Sequence, residues 1–340
     1  MRFIHTAAVA VAALAVATVA GAQSSHYHVA NRFTIGGDGS WDYLAIDTVG
    51  HRLFIARENR VTVVDPTNGH VLGEITGLNR AHGVAFAYST GHGFVTSGGD
   101  STVVMFDLKT LKVLRKTTAA VDCDGILYDP GSGHVFTFNG DAGSASVIDA
   151  KTGKRITNIT LPGKPEFGVT NGKGRVYVNI EDKSLVAEID SRTNRVTRHW
   201  SIAPCTSPSG LAIDVAHSLL FSGCHSKVMG VSDAVAGKLV TTAPIGTGVD
   251  ADRFDASTQY AFASTGDGNI TVVHEDSPRK FTVVDNITTM PGARTMALDP
   301  QTHRLYTVSA KFGPAPVAVA GQRRRPPVVP GSFTLLVLER

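Results

Sequence analysis

A repeat with a period of about 40 residues constrains this chain more than any other feature of its sequence. In each unit, a short apolar run ends at a polar turn and is followed by a second run that begins with an aromatic side chain. The aromatic positions are Phe54, Phe94, Phe136, Tyr177, Phe221, Phe262 and Tyr306, separated by 40, 42, 41, 44, 41 and 44 residues. Repeats of this length are typical of β-propellers and solenoids.

A second marker, the acidic residue that ends the third run of each unit, has the same period. It falls at Asp65, Asp107, Asp149, Asp190 and Asp233, and we expect Glu275 and Glu339 to replace it in the last two units. Since two independent markers share one period, we infer that all seven units share one structure.

The runs inside a unit predict β-strands. They are short, rich in Val, Ile, Thr and aromatic residues, and separated by turn sequences such as Pro66-Thr67-Asn68-Gly69. Seven units of four antiparallel strands predict an all-β fold, a single seven-bladed β-propeller. The first strands are small and apolar, as in Gly83-Val84-Ala85, and we expect larger side chains to collide near the narrow axis.

The sequence divides into a segment at 1–22 and a propeller over 23–340. Residues 1–22 combine a basic start at Arg2, an apolar stretch and Ala20-Gly21-Ala22, which predicts a cleavable secretory signal peptide. We expect blades at about 42–78, 82–119, 124–162, 166–204, 209–246, 250–289, and 294–340 plus 27–35. The segment 27–35 would pair with the last strand and close the ring, which removes free sheet edges.

The last unit contains a long insertion, 312–332, that is rich in proline and includes Arg323-Arg324-Arg325. Because proline cannot donate to a strand ladder, we expect a loop there. Long loops in compact folds are often functional, so the insertion is either a lid or docking arm, or a solvated flap.

Export would place the protein in the periplasm or outside the cell, with no membrane span after cleavage. A formal net charge of +3 with 18% charged residues gives no indication of nucleic acid binding. We expect a monomer whose partner is an unidentified small ligand or protein.

Antiparallel geometry and export would allow a Cys205–Cys224 disulfide, which leaves Cys123 as a buried small side chain or a reactive thiol.

Counting back five residues from the turn residue that ends each first strand gives a polar residue in every unit. These seven residues, called the ring residues below, are Asp42, His82, Asp124, Glu166, Ser209, Asp250 and Arg294. In a propeller they would surround the mouth of the central channel and could bind a ligand. Alternatively, they are hydrated strand starts. A second group expected near the same face is Asp122, Asp252, Arg57, Asn139, Asn179, His225 and Lys311.

Close carboxylates raise one another's pKa, whereas a nearby Arg lowers it. Oxygen-rich surroundings would suit a divalent cation at the mouth, although the sequence assigns no metal ligands and identifies no cofactor. Five histidines, His51, His92, His134, His217 and His303, fall in turns between first and second strands of different units. We expect turn chemistry to explain them, because residues distributed around one face cannot converge on one ion.

Two stretches carry a family resemblance: Gly174-Arg175-Val176-Tyr177-Val178-Asn179, followed by Val186 to Asp190, and His303-Arg304-Leu305-Tyr306. With them the chain resembles the YVTN-repeat β-propeller family, the YncE-like periplasmic proteins, over nearly all of its length after residue 22. The resemblance implies an exported seven-bladed propeller, usually without an assigned reaction, and it transfers no catalytic residue.

The leading hypothesis is therefore a binding or interaction scaffold that acts through the polar channel mouth. The alternative is a lactonase-like hydrolase, because similar seven-bladed proteins place His, Glu and Arg at this mouth. Glu166 would then be the general base, Arg294 would stabilise charge, and His82 would orient water.

Overall fold

The computed structural model of the chain describes residues 24–314 and 326–340. The signal peptide predicted over 1–22 and the centre of the 312–332 insertion lie outside the described residues. Within these two ranges, no helix is both long enough and apolar enough to cross a membrane.

The described residues form seven four-stranded antiparallel sheets, which confirms the predicted all-β seven-bladed propeller. The first strand of the chain, β1 (His28–Thr34), belongs to the last blade. Blade one contains β2 (Leu44–Asp47), β3 (Arg52–Arg57), β4 (Arg60–Val64) and β5 (Val71–Thr76). Blade two contains β6 (Ala81–Ala87), β7 (His92–Ser97), β8 (Thr102–Asp107) and β9 (Val113–Thr118). Blade three contains β10 (Cys123–Asp129), β11 (His134–Asn139), β12 (Ser144–Asp149) and β13 (Arg155–Thr160).

The remaining blades repeat this order. Blade four contains β14 (Pro165–Thr170), β15 (Arg175–Ile180), β16 (Leu185–Asp190) and β17 (Arg195–Ser201). Blade five contains β18 (Pro208–Asp214), β19 (Leu219–Cys224), β20 (Val228–Asp233) and β21 (Lys238–Pro244). Blade six contains β22 (Val249–Asp255), β23 (Tyr260–Thr265), β24 (Asn269–Ser277) and β25 (Lys280–Thr288). Blade seven contains β26 (Met296–Asp299), β27 (Arg304–Ser309) and β28 (Thr334–Glu339), with β1 outermost. Short 3-10 helices occupy the turns Tyr88–Thr90, Gly98–Asp100 and Glu181–Lys183.

The repeated aromatic side chains fill the space between neighbouring blades. Phe54 of blade one is fully buried, and its ring lies 5.0 Å from that of Phe86 and 5.9 Å from that of Phe106 in blade two. Phe221 of blade five also contacts an aromatic ring of the next blade, and it stacks on Phe254 of blade six at 5.0 Å. Aromatic pairs at these distances combine a large buried apolar area with favourable ring geometry. The period in the sequence therefore reports the packing of blade on blade.

The repeated acid ends the third strand by forming a turn. Asp65, for example, accepts hydrogen bonds from the backbone N–H of Thr67 at 2.8 Å and from its hydroxyl at 2.6 Å. The assignment of Glu275 to this position is wrong. In blade five, Leu219 at the start of the second strand pairs with Asp233. In blade six, Tyr260 at the same position pairs with His274. His274 is therefore equivalent to Asp233, and Glu275 lies one residue further on. The reason is that β24 continues to Ser277 in a longer hairpin and needs no aspartate turn.

The ring closes as predicted, because the N-terminal strand β1 pairs antiparallel with the C-terminal strand β28. The register runs from His28 opposite Glu339 to Thr34 opposite Thr334, with a β-bulge after Val29. Next to β1, the Tyr27 hydroxyl donates to the carbonyl oxygen of His303 at 2.7 Å. Closure pairs a strand edge that would otherwise be available for aggregation.

The three cysteines lie in two different settings. Cys205 and Cys224 are joined by a disulfide, with their Cα atoms 5.5 Å apart. Cys123 has a free thiol that is fully buried, and burial raises its pKa to about 12. Since the thiolate is the reactive form, the structure favours the small buried side chain over the reactive thiol.

We predict that removal of residues 24–34 will lower the Tm by roughly 10 °C or more and cause aggregation, because β28 loses its partner. The measurement is thermal unfolding with light scattering, and the matched control is a chain that begins at Ser24. An unchanged Tm in the shortened chain would mean that closure contributes little.

Candidate functional site

The structure brings the seven ring residues together at one end of the central channel. His82, Asp124, Glu166, Ser209 and Asp250 lie near the starts of β6, β10, β14, β18 and β22, while Asp42 and Arg294 come two residues before β2 and β26. Direct contacts join Asp42 to His82, His82 to Asp124, Ser209 to Asp250, and Asp250 to Arg294. Between blades seven and one, the Thr295 hydroxyl donates to the carbonyl oxygen of Asp42 at 2.9 Å.

One half of the ring places an imidazole between two carboxylates. The Nδ1 atom of His82 lies 2.5 Å from Oδ2 of Asp42 and 3.5 Å from Oδ1 of Asp124. The side chains are 10% (His82), 19% (Asp42) and 26% (Asp124) exposed, so they are largely enclosed but reachable from the channel. Their three donor atoms all lie within 4.8 Å of one another. Among the residues that the structure describes, neither Asp124 Oδ1 nor His82 Nε2 has a hydrogen-bond partner.

The other half of the ring is neutralised within the protein. The carboxylate of Asp250 contacts Nε of Arg294 at 2.9 Å and accepts a hydrogen bond from the Ser209 hydroxyl at 3.1 Å. The charge of Asp250 in turn raises the pKa of Arg294, so this guanidinium stays charged. The two halves therefore differ: Asp250 has a fixed positive partner, whereas Asp42 and Asp124 share one imidazole.

Enclosure and mutual repulsion favour protonated carboxyl groups at the mouth. Burial, followed by the negative charges of Asp124 and Asp250, raises the pKa of Glu166 to about 9. Burial and the charge of Asp42 raise the pKa of Asp124 to about 7. Burial lowers the pKa of His82, but its hydrogen bond to Asp42 and the two aspartate charges outweigh this effect, and the net shift is upward. At neutral pH the Glu166 carboxyl therefore keeps its proton and the Asp124 carboxyl lies near its pKa, so bound protons relieve part of the repulsion at the mouth.

Bulky side chains close the channel below the ring, contrary to the expectation that only small residues fit near the axis. Tyr43 and Phe167 directly follow Asp42 and Glu166, and their rings lie 5.1 Å apart. The Arg253 guanidinium lies 5.1 Å from the centre of the Phe167 ring. At the matching position of blade five, Gly210 lets the first strands of blades five and six approach closely, since a Cβ there would lie 2.5 Å from the backbone nitrogen of Asp252. Below Tyr43, a cavity of about 210 Å³ continues along the axis.

The charges of the mouth also act on Tyr43, a residue that no sequence pattern identified. Its side chain is buried, and burial together with the charges of Asp250, Glu166, Asp124 and Asp42 holds its pKa well above the usual range. The phenol is therefore neutral and forms part of the floor under the ring residues. No signal in the sequence distinguished it, because an aromatic at a strand start is also typical of ordinary core packing.

A second cavity, of about 400 Å³, opens beside the ring. Its lining includes Trp41, Arg294 and Phe312. The rings of Trp41 and Phe312 lie 6.1 Å apart, and Phe312 forms an isolated bridge with Val328 at the base of the insertion. An apolar surface therefore adjoins the guanidinium that is paired with Asp250.

The second group of polar residues contributes mainly to the framework of the mouth. Arg57 is 1% exposed, lies 3.7 Å from the centre of the Phe333 ring, and donates to the carbonyl oxygen of Asp38 at 2.7 Å. Asn179 donates to the carbonyl oxygen of Ser209 at 3.0 Å, which holds this ring residue in place. Asp252 is fully buried beside the backbone N–H of Gly223, and burial raises its pKa to about 8.

Most of the turn histidines connect neighbouring blades at the other end of the propeller, as turn chemistry suggested. Nδ1 of His92 lies 3.0 Å from the carbonyl oxygen of Ala150, and Nδ1 of His134 lies 3.2 Å from that of Ser191. Nδ1 of His303 lies 2.8 Å from Oδ2 of Asp255. These residues do not converge on one point.

Comparison with known proteins supports the fold and leaves the function open. No protein-family model and no curated protein matches the chain. Among 1792 matching chains of solved structures is hydrazine synthase from Kuenenia stuttgartiensis, with 14% identity and a TM-score of 0.69 over 78% of this chain and 91% of that one. A likeness at this identity concerns the fold alone. The chain is a seven-bladed β-propeller.

We predict that Glu166→Gln will stabilise the protein at high pH. Glu166 keeps its proton in the folded state up to a pKa of about 9, whereas the unfolded chain loses it near 4.5. Between these values the folded state binds more protons, so the free energy of unfolding decreases as pH rises, and each tenfold difference in proton affinity between the two states corresponds to about 1.4 kcal/mol. Glutamine cannot ionise, and the variant should lose less stability than the wild type.

Urea unfolding between about pH 5 and pH 9, with a chelator present, measures this difference. The matched control is Glu58→Gln, which removes an exposed carboxylate on a surface turn. Parallel pH profiles for the wild type and Glu166→Gln would contradict the assignment.

Proposed function

We propose that this chain is a propeller binding scaffold whose channel mouth holds a divalent transition-metal cation on Asp42, His82 and Asp124. The observation that carries the proposal is the convergence of these three donor atoms within 4.8 Å, in an enclosed site where Asp124 Oδ1 has no hydrogen-bond partner among the described residues. A cation there would neutralise the carboxylates that otherwise repel one another.

The donor set indicates the class of ion. One imidazole and two carboxylates suit Zn²⁺, Mn²⁺ or Co²⁺ better than Ca²⁺ or Mg²⁺, which take oxygen ligands. Three protein ligands would leave a coordination position for water or a bound molecule facing the channel. Because the ion must displace the proton that His82 shares with Asp42, binding should weaken as pH falls.

An organic ligand would extend from the ion toward the cavity beside the ring. Trp41 and Phe312 offer aromatic surface there, and Arg294 offers a charged donor at the border with the ring. A small molecule that combines a metal-binding group with an apolar portion fits this arrangement.

We further propose that the protein is an exported, periplasmic or secreted member of the YVTN-repeat, YncE-like propellers. Support comes from the signal-peptide pattern in residues 1–22, from the repeat sequences, and from the Cys205–Cys224 disulfide. Disulfides of this kind persist in oxidising compartments.

The hydrolase alternative stays a prediction that no specific observation favours. Arg294 pairs with Asp250 and His82 with Asp42, whereas the described residues show no hydrogen bond or ion pair from Glu166 to either. Turnover of a lactone panel that is abolished by Glu166→Gln would revive it.

We predict that the purified, chelator-treated protein will bind Zn²⁺ or Co²⁺ and that Asp124→Asn will weaken binding at the mouth by about 100-fold or more. The physical reason is the loss of one charged ligand from a set of three. Isothermal titration and the visible absorbance of bound Co²⁺ measure this effect.

The matched control is Asp141→Asn, which makes the same change in charge on an exposed turn of blade three. Without metal, Asp124→Asn should be at least as stable as the wild type, because it removes one of the repelling carboxylates. Equal metal affinity in the wild type, Asp124→Asn and His82→Ala would refute the mouth site.

A further inference from the structure

A second group of ionisable side chains lies at the other end of the propeller, where blade five meets blade six. Asp214 ends β18, His217 follows in the turn, and Glu275 lies near the end of β24. Nδ1 of His217 is 2.6 Å from Oδ2 of Asp214 and 2.8 Å from Oε1 of Glu275. The side chains of Asp214 and Glu275 are 1% and 0% exposed, whereas that of His217 is 42% exposed.

The internal repeat shows what is unusual about Glu275. Its backbone N–H donates to the carbonyl oxygen of Gln259 at 2.8 Å, as that of Ser191 donates to Gly174 in blade four at 3.1 Å. Glu275 and Ser191 are therefore equivalent positions. In blade four, the Ser191 hydroxyl donates to Oδ2 of Asp129 at 2.5 Å, and Asp129 ends its first strand as Asp214 does. The equivalent residues of blades two, three and five are Leu108, Ala150 and Ala234, whereas Glu275 puts a second carboxylate near Asp214 where blade four has a donor.

This replacement leaves buried acceptors unsatisfied. Within the described part of the chain, Oδ2 of Asp214 and both carboxylate oxygens of Glu275 have no partner with hydrogen-bond geometry, although His217 Nδ1 lies close. A single N–H on Nδ1 cannot serve three oxygen atoms. Unpaired buried carboxylates are costly, so a cation bound among these three side chains would stabilise the cluster.

We propose that Asp214, His217 and Glu275 form a divalent transition-metal site that joins blade five to blade six. The donor set of one imidazole and two carboxylates suits Zn²⁺, Mn²⁺ or Co²⁺. Ligands at about 2.1 Å from a tetrahedral ion are about 3.4 Å apart, so the donor atoms would separate by less than about 1 Å. The exposed side of His217 gives the ion access and leaves a position for water. This site is distinct from the channel mouth and does not depend on it.

The experiment uses the full mature chain carrying Asp124→Asn, which removes the mouth site. After chelator treatment, this protein is titrated with Co²⁺, followed by visible absorbance, and with Zn²⁺, followed by calorimetry. We expect one bound equivalent, a fall in affinity of about 100-fold or more on adding His217→Ala, and a higher Tm with metal. The matched control adds His134→Ala, which removes a histidine that contacts the Ser191 carbonyl oxygen between blades three and four, and should retain the bound ion.

Glu275→Ser provides a second variant that should fold without metal, because it restores the donor that Ser191 supplies in blade four. In chelator it should be more stable than the wild type, and it should lose the metal. Absence of binding in Asp124→Asn, or binding that survives both His217→Ala and Glu275→Ser, would overturn the proposal. Lower stability of Glu275→Ser in chelator would equally contradict it. If the channel mouth binds no metal, the binding expected at Asp214, His217 and Glu275 in the Asp124→Asn protein would not change.

Discussion

Pairing between β1 and β28 is the interaction on which the rest of the molecule depends. A blade of four strands cannot bury both of its faces alone, and each blade here packs its apolar faces against two neighbours, as Phe54 does against Phe86. An open ring would expose two such faces and a free strand edge. Because the ends of the chain meet in the same sheet, the ring closes and every blade gains its second neighbour.

Closure also brings the ring residues together at the axis. First strands from all seven blades converge there, so polar residues separated by about 40 positions in the chain become neighbours. The residue after the ring residue differs between blades: Tyr43 and Phe167 contact each other near the axis, whereas Gly210 lets neighbouring first strands approach closely. With this floor below them, Asp124 and Glu166 lie in an enclosed mouth, where burial and nearby negative charges raise the pKa of both carboxyl groups.

The repeat also serves as an internal reference. Equivalent positions in seven blades show what the fold requires, and a departure at one blade then stands out. After the third strand, blades two, three and five have Leu108, Ala150 and Ala234, and blade four has Ser191, whose hydroxyl donates to Asp129. The same position between blades five and six holds Glu275, which shares the His217 imidazole with Asp214. A residue that differs from its equivalents in the other blades, as Glu275 does, is a candidate for ligand binding rather than for a role in the fold.

By itself the sequence determined the all-β class, the seven units, the closing strand and the ring positions, because strand period, turn chemistry and repeat length are local properties of the chain. It also placed Asp42, His82 and Asp124 at one mouth, since equivalent positions in a propeller lie at equal depth. Only the tertiary structure decided that Arg294 pairs with Asp250, that Tyr43 closes the channel, and that His217 meets Glu275. These contacts join different blades, and a one-residue shift in register, as at His274, changes which side chain faces the neighbour.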